Sequence, residues 1–531
     1  GHHQEDRAGA GQDGADQAQI HPAPREKEGG LTVKLFKGHY TRRGCSGRIK
    51  KAGPFSHSST MDDTLHKFRC KTCVCPKAQQ GAALLLLLLI TVVAASSIFV
   101  TTLRQTTTQI ALDKNRQTRD ALARAKEGLI GYALTYSEQQ NQGQPQGFLP
   151  CPDRNGDGTA TVSAGETPCG GSGLSVIGWL PWRQLGLPPL RDGDGECLWY
   201  ALSGTYKNNV KTSLTSDTDG QFIVRDGSGT MVIGASASEQ AIAIIFAPGA
   251  PLGGQNRNTT STLTECASQN AADPSNQSAN YLDPAGGINN ATGNPPLPAA
   301  PSTFVSATTT IANFNDVLLP VTPQDFQPVY ARMDRWIANR AQQCLTLAYS
   351  FPYSWTAALN SPADPLDLTA DSNQRFGRVP DTPSPDPPPP GWNDDPDINV
   401  GGKCFTDVGG FTGPGWWWWD TWREMVFYAV DAAASPSGGT AALQLTGAPV
   451  PNSQFVIAVA GRKLGGQQRN DANDKANIAS YLEDHNDPNT AAVSPPGPAG
   501  NILPGDERFV TTPTVAGTAF NDTLCNDAGC P

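Results

Sequence analysis

The chain is poor in histidine, in net positive charge and, over one stretch, in charge of any kind. Of its seven histidines only His485 follows residue 103. A Ser-His-Asp triad or a histidine-rich zinc site would therefore rest on one residue, in the loop-like stretch LEDHNDPN. No G-x-S-x-G, P-loop, H-E-x-x-H or C-x-x-C-H occurs, which removes the usual signatures of a hydrolase elbow, a phosphate cradle, a zinc protease and covalent haem. Paired carboxylates for glycoside hydrolysis have no fixed sequence spacing and stay open. With that exception the expectation is a protein that is not an enzyme.

Lys and Arg number 39 against 49 Asp and Glu, a formal charge of −10. The basic face that nucleic-acid phosphates require is missing, so no nucleic-acid partner is expected. Only 17% of residues are charged and 38% are hydrophobic, with 55 Gly and 44 Pro, a balance that fits a loop-rich β or α+β protein better than a helical bundle. The first methionine is Met61, and residues 1–60 show no sustained periodicity. They are expected to be an untranslated upstream extension, with a disordered tail as the alternative.

Charge is absent from residues 82–103, AALLLLLLITVVAASSIFVTTL. As a helix rising about 1.5 Å per residue, this run reaches roughly the 30 Å of a bilayer core. A transmembrane helix is expected, longer than the roughly 7–15 apolar residues of a cleavable signal. The preceding stretch MDDTLHKFRCKTCVCPKAQQG, residues 61–81, carries Lys67, Arg69, Lys71 and Lys77, which the positive-inside rule keeps in the cytoplasm. More than 420 residues then follow outside, enough for about two to three domains.

A short basic leader ending in glycine, an apolar helix directly after it and a polar amphipathic continuation resemble the class III signals of type IV pilins and type II secretion pseudopilins. The resemblance implies cleavage by prepilin peptidase between Gly81 and Ala82, residence in the bacterial inner membrane with a periplasmic head, and later assembly with other pilins or pseudopilins. It also implies a filament core built from the apolar helix. The sequence departs from the family at the fifth mature position, where most pilins have Glu and this chain has Leu86. In the family that absence marks some minor subunits, notably the tip pseudopilin. Residues 104–138 extend the helix into a stalk, with Ile110, Leu112, Ala121, Leu122, Ala125, Leu129, Ile130 and Ala133 mostly on one face.

The stretches Leu149 to Asp153, Leu180 to Leu187, Asp192 to Glu196 and Leu198 to Leu202 follow an order similar to that of minor pilin-like proteins. The rest of the chain repeats itself. LGGQNRN at 252–258 returns as LGGQQRN at 464–470, NYLD at 280–283 as SYLE at 480–483, and FND at 314–316 as FND at 520–522. LWYAL at 198–202 parallels VFYAV at 426–430, GWLPW at 178–182 parallels GWWWW at 415–419, and a second helix at 322–350 parallels the stalk.

The expected fold is thus α+β. A long transmembrane and stalk helix (82–138) leads into two tandem pilin-like helix-plus-antiparallel-sheet units, 139–320 and 321–531, loop-rich and disulfide-bonded. The proline-rich DTPSPDPPPPGW reads as an exposed insertion in the second unit.

Eight cysteines follow the apolar run: Cys151, Cys169, Cys197, Cys266, Cys344, Cys404, Cys525 and Cys530. An even set on one side of a membrane helix, without partner histidines, points to disulfides in an oxidising compartment, Cys525 with Cys530 being the closest local pair. DRNGDG sets Asp153, Asn155 and Asp157 at alternate positions with Gly158 sixth, as a calcium loop does, but Ala164 stands where the bidentate acid belongs. Asp192, Asp194 or Glu196 are the candidates to complete a Ca2+ site. The competing reading is a polar turn closed by Cys151 and Cys169.

Trp416, Trp417, Trp418 and Trp419 are a candidate contact surface for a glycan or partner, against a packing role shared with Trp179 and Trp182. Gln255, Asn256 and Arg257, echoed by Gln467, Gln468 and Arg469, are expected to brace turns. The function these readings favour is a pilin-like minor subunit acting in filament initiation or at the tip, with adhesion or cargo contact secondary. The alternative is an uncleaved single-pass surface protein that binds carbohydrate or a protein.

Overall fold

The computed structural model describes residues 80–139, 145–160, 169–306, 313–348, 356, 375–379, 417–434, 443–446, 452–483, 486–487, 508–511 and 519–530. Residues 1–79, the proline-rich stretch, Cys404, Trp416 and His485 lie outside the described residues. The chain divides into residues 1–84, of which 80–84 form the first turn of a helix, and residues 85–531, which hold everything else.

Helix α1 (Gln80–Gln139) opens the described chain as 60 residues without a break. Its packed face repeats at three- and four-residue steps, Leu122, Ala125, Leu129, Tyr132, Ala133 and Tyr136, all buried. Ile110 and Leu112, expected on that face, are exposed. The buried face begins at Ala121, whereas Lys114, Gln117 and Thr118 before it make polar contacts with the turn at Asp192–Asp194.

The expected transmembrane span is corrected here. Among the described residues no helix is long and apolar enough to cross a membrane. Polar Thr91, Ser96 and Ser97 interrupt the apolar stretch of α1, their hydroxyls donating to the carbonyls of Leu88, Val92 and Ala94. The sequence then turns to Thr-Thr-Leu-Arg-Gln. Helix and sheet are mixed and disulfides are present, but the α+β class headed by a transmembrane helix does not hold.

In chain order the strands after α1 are β1 (Val176–Trp179), β2 (Trp199–Leu202), β3 (Phe222–Asp226), β4 (Met231–Ile233), β5 (Ala243–Ala247), the short ribbon β6 (Pro284–Ala285) and β7 (Ile288–Asn289), β8 (Ser302–Ser306) and β9 (Val317–Val321). Helix α2 (Gln327–Ala348) follows, then β10 (Phe376–Arg378), α3 (Trp417–Trp422), β11 (Val426–Val430), β12 (Leu443–Thr446), β13 (Asn452–Ser453), β14 (Phe455–Val459), α4 (Ala472–Ala476), β15 (Arg508–Val510) and β16 (Thr523–Asn526).

Two four-stranded antiparallel sheets share one plan, β1-β2-β5-β9 and β10-β11-β14-β16. Their registers coincide. Tyr200 lies opposite Gly178 and Ile245, and Tyr428 lies opposite Gly377 and Ile457. Each sheet is accompanied by a three-stranded one, β4-β3-β8 and β13-β12-β15, with one antiparallel and one parallel pairing apiece. The chain therefore contains two copies of one layered arrangement, and GWWWW is not part of it as a strand. The counterpart of β1 is β10, while the tryptophans enter α3.

The central strands read as continuous apolar runs because both their faces are covered. Tyr200, Leu202, Ala243 and Ile245 join α1 and α2 in one core that also contains β11 and β14. Trp199, Ala201, Ile244 and Phe246 face Phe222, Phe304 and Tyr281 in a second. On α2, Tyr330, Met333, Ile337, Ala341 and Leu345 recur at helical spacing toward the shared core. Disulfides join Cys151 to Cys169, Cys197 to Cys266 and Cys525 to Cys530. Cys344 lies in α2, with its side chain outside the described set.

Candidate functional site

The N-terminal part of α1 has the most unusual surface in the described chain. Leu84 to Ile90, Val92, Val93 and Ile98 to Val100 are all exposed, Leu85 at 70%. Consecutive positions on a helix point in every direction, so this segment is apolar all round, the signature of a helix that is covered on all sides in its working state. Burying each leucine there gains about 1.5–3 kcal/mol. A contiguous patch of this kind marks an interaction surface. Gly81 and Ala82, the expected cleavage point, lie in the first turn of the same helix.

The candidate calcium residues have turned inward on their own backbone. Asp153, fully buried, accepts the Asn155 and Gly156 N–H groups on Oδ1, both at 2.9 Å, and the Gly158 N–H on Oδ2 at 2.6 Å. Asn155 donates to Asp157, and Asp157 accepts from Thr159. The loop is pinned to β1 by a reciprocal pair of backbone bonds between Asp153 and Trp179, and Gly178 makes the approach possible, since a Cβ there would meet the Asp153 carbonyl oxygen at 2.6 Å. Burial pushes the Asp153 carboxyl up to about 7 despite its backbone donors.

Asp192 belongs to a different turn, accepting from Asp194 and Glu196 N–H on Oδ1 and from Gly249 N–H on Oδ2. Asp194 is ion-paired with Lys114 of α1, and Glu196 with Arg257 at 3.1 Å. Among the described residues no group of three or more His, Cys, Asp or Glu could hold a metal ion. The physical reason is that the acids' oxygens already accept backbone N–H groups or cations.

The tryptophan run is not a free surface at the position that is described. Trp419 is fully buried in the shared core, as is Trp422, whose Nε1 donates to the Leu214 carbonyl. The side chains of Trp417 and Trp418 lie outside the described set.

The two Gln-x-Arg triplets build a polar network twice over. Gln255 accepts the Leu252 N–H and donates to Asp283 at 2.9 Å, and Gln467 accepts the Leu464 N–H and donates to Glu483 at 2.8 Å. Arg257 donates to the carbonyls of Asn280, Gly249 and Tyr281, and Arg469 to those of Ser480, Gly461 and Tyr481. Sequence reasoning missed the members beyond the triplets, Asn290 and Asn486 above all. The repeated NYLD/SYLE and FND motifs were their visible signal.

The copies differ in what meets the charge of this arginine. Arg257 is neutralised within its own copy by Glu196, whereas Arg469 reaches Asp217 of the first copy at 2.7 Å. Arg462 adds the Ser216, Thr218 and Ser238 carbonyls and the Asp219 carboxylate. Tyr206 and Tyr330 hydroxyls meet at 2.8 Å beside them. The two copies are thus locked at a polar seam, beside which a cleft of about 460 Å³ is bordered by β4, the start of α2 and Lys463. Comparison of the chain with protein-family models, curated proteins and solved structures finds no match.

Proposed function

We propose that the chain is a pilin-like subunit of an extracytoplasmic filament, a type IV pilus or a type II secretion pseudopilus, with the apolar segment 84–100 buried among the same segments of neighbouring subunits. The observation that carries this reading is the division of labour along α1. One unbroken helix gives residues 121–136 to the core of the head and presents Leu84 to Ile90, Val92 and Val93, apolar on every side, at the surface of the described residues. A helix that holds a rigid head at one end and a greasy surface at the other is suited to assembly through the greasy end.

The disulfides support a head that folds in an oxidising compartment. The resemblance of the leader adds processing by prepilin peptidase between Gly81 and Ala82, and other pilins as partners. Leu86, without the carboxylate that neighbouring subunits would neutralise, suits a subunit at the tip or at initiation. Two copies of the layered head on one helix suit the same place.

The test is the N-terminus of the mature protein, by mass spectrometry of cells with and without prepilin peptidase. A start at Ala82 only when the peptidase is present is expected. An intact leader in both strains would sink the proposal.

A further inference from the structure

Each copy buries two carboxyl groups against one another. Asp283 and Asp316 are both 3% exposed, and Glu483 and Asp522 both 8%. In the first copy Asp316 Oδ2 accepts the Asp283 N–H at 2.8 Å and Asn290 Nδ2 at 3.0 Å, while Asp283 accepts Gln255 Nε2 and the Asn315 N–H. In the second, Asp522 Oδ2 accepts the Glu483 N–H at 3.1 Å and Asn486 Nδ2 at 3.0 Å, while Glu483 accepts Gln467 Nε2 and the Asn521 N–H.

Three of the four oxygens in each pair thus have donors. The fourth, Asp316 Oδ1 in one copy and Asp522 Oδ1 in the other, is wholly buried and has none. The same atom is orphaned at the same place twice. A buried acceptor without a donor is costly, and two ionised carboxyls in contact repel. The backbone N–H that Asp283 gives to Asp316, and Glu483 to Asp522, holds the two acids of each pair side by side. A single proton on the orphaned oxygen removes both penalties at once, by donating to the acid opposite.

We propose that each copy binds one proton shared between its paired carboxyls, Asp283 with Asp316 and Glu483 with Asp522, and that this proton clasps three parts of the copy together. Asp316 immediately precedes β9 and Asp522 immediately precedes β16, the last strands of the two four-stranded sheets. Asn290 and Asn486, which donate to those aspartates, also hold the backbone of Val305 in β8 and Val510 in β15. Asp283 and Glu483 sit in the loops braced by Arg257 and Arg469. Loop, three-stranded sheet and edge strand meet at the proton.

The charged groups around the pairs leave the proton its role. Arg257 faces the first pair but is matched by Glu196, and Arg469 faces the second but is matched by Asp217. Asp334 of α2 adds a further acid toward Glu483, and Arg332 and Arg335 line the cleft beside Asp522. Burial drives Asp316 and Asp522 well above the ordinary aspartate range, and the neighbouring acid pushes the same way. With the folded value above the unfolded one, the folded chain binds the extra proton. The stabilisation is fully present below the unfolded value and is lost as pH rises through the folded one.

The experiment measures urea unfolding of the full chain from about pH 5 to 9, whose slope against pH counts protons taken up on folding. Asp316→Asn and Asp522→Asn keep the shape and supply an N–H in place of the proton. Each is expected to lower the count by about one, and the double variant by about two. Asp283→Asn and Glu483→Gln, on the opposite side of each pair, should give the same decrements. Slopes equal to the wild type would overturn the proposal, as would a wild-type stability that falls with chelator, since a bound cation would then occupy the site. Should the variants fail to fold, infrared spectra of the wild type with 13C-labelled aspartate decide, and the absence of protonated-carboxyl bands at about pH 8 overturns it.

Discussion

The guanidinium of Arg469 lies 4.5 Å above the ring centre of Tyr481, the same separation that Arg257 keeps from Tyr281 in the first copy. Each arginine also donates to a glutamine two residues before it and to three carbonyls. Planar stacking and a multi-pronged donor set are what guanidinium provides and ammonium does not. Arg469→Ala is expected to cost about 3–5 kcal/mol, because it strips Asp217 of its cation as well as the carbonyls of their donors. Arg257→Ala should cost less, about 2–3 kcal/mol, since its partner Glu196 is more exposed. Lysine at either position should recover less than half. Urea unfolding of the four variants measures this, and a lysine variant equal to wild type would refute the stacking account.

The three disulfides close loops of very different length, 69 residues for Cys197–Cys266, 18 for Cys151–Cys169 and 5 for Cys525–Cys530. Loop-closure entropy then predicts losses of about 4, 3 and 2 kcal/mol for the paired serine variants, in that order. Equal losses in chemical denaturation would show that local packing, and not loop length, sets the contribution.

A charge placed in the exposed apolar segment separates stability from assembly. Leu89 is 64% exposed and touches no core, so Leu89→Glu should change unfolding free energy by less than about 0.5 kcal/mol. On the proposed filament reading the same substitution should abolish recovery of the protein with other subunits, because an unpaired carboxylate buried between helices is costly. Loss of folding on this change would mean that the segment belongs to the head.

Much of the architecture was legible where spacing alone decides it. The register match of Tyr200 and Tyr428 was visible as LWYAL against VFYAV, because strand residues that face the same layers must be alike. The paired FND and NYLD/SYLE motifs were legible as repeats, but that they bring Asp283 to Asp316 and Glu483 to Asp522 is a tertiary fact with no local period. The Asp153 loop had a calcium spacing, yet spacing does not show whether carboxyl oxygens point outward or onto their own N–H groups. The run 82–103 was read as a span from its lack of charge, which measures hydropathy and not what covers the helix. GWWWW matched GWLPW in letters, although the strand equivalent to β1 is Phe376–Arg378, where no tryptophan occurs.

That last equivalence makes a prediction of its own. Gly178 and Gly377 sit opposite the matching tyrosines, so the residues that follow them, Trp179 and Arg378, occupy the same place in the two copies. Both are buried. Trp179 packs its ring 4.2 Å from Trp199 and 4.8 Å from Tyr281. Arg378 instead spreads its guanidinium over Phe427 at 4.8 Å and Tyr481 at 4.9 Å, and donates to the carbonyls of Glu424 and Lys475. A flat cation with hydrogen bonds at its rim does the work of an indole. Arg378→Ala should therefore cost about 3–5 kcal/mol, comparable with Trp179→Ala, through the cavity and the two abandoned carbonyls. Arg378→Lys, which keeps the charge but loses the plane and one donor direction, should still cost about 1–3 kcal/mol. If thermal and urea unfolding find Arg378→Lys as stable as wild type, charge alone holds that position and the equivalence with Trp179 is one of place and not of packing.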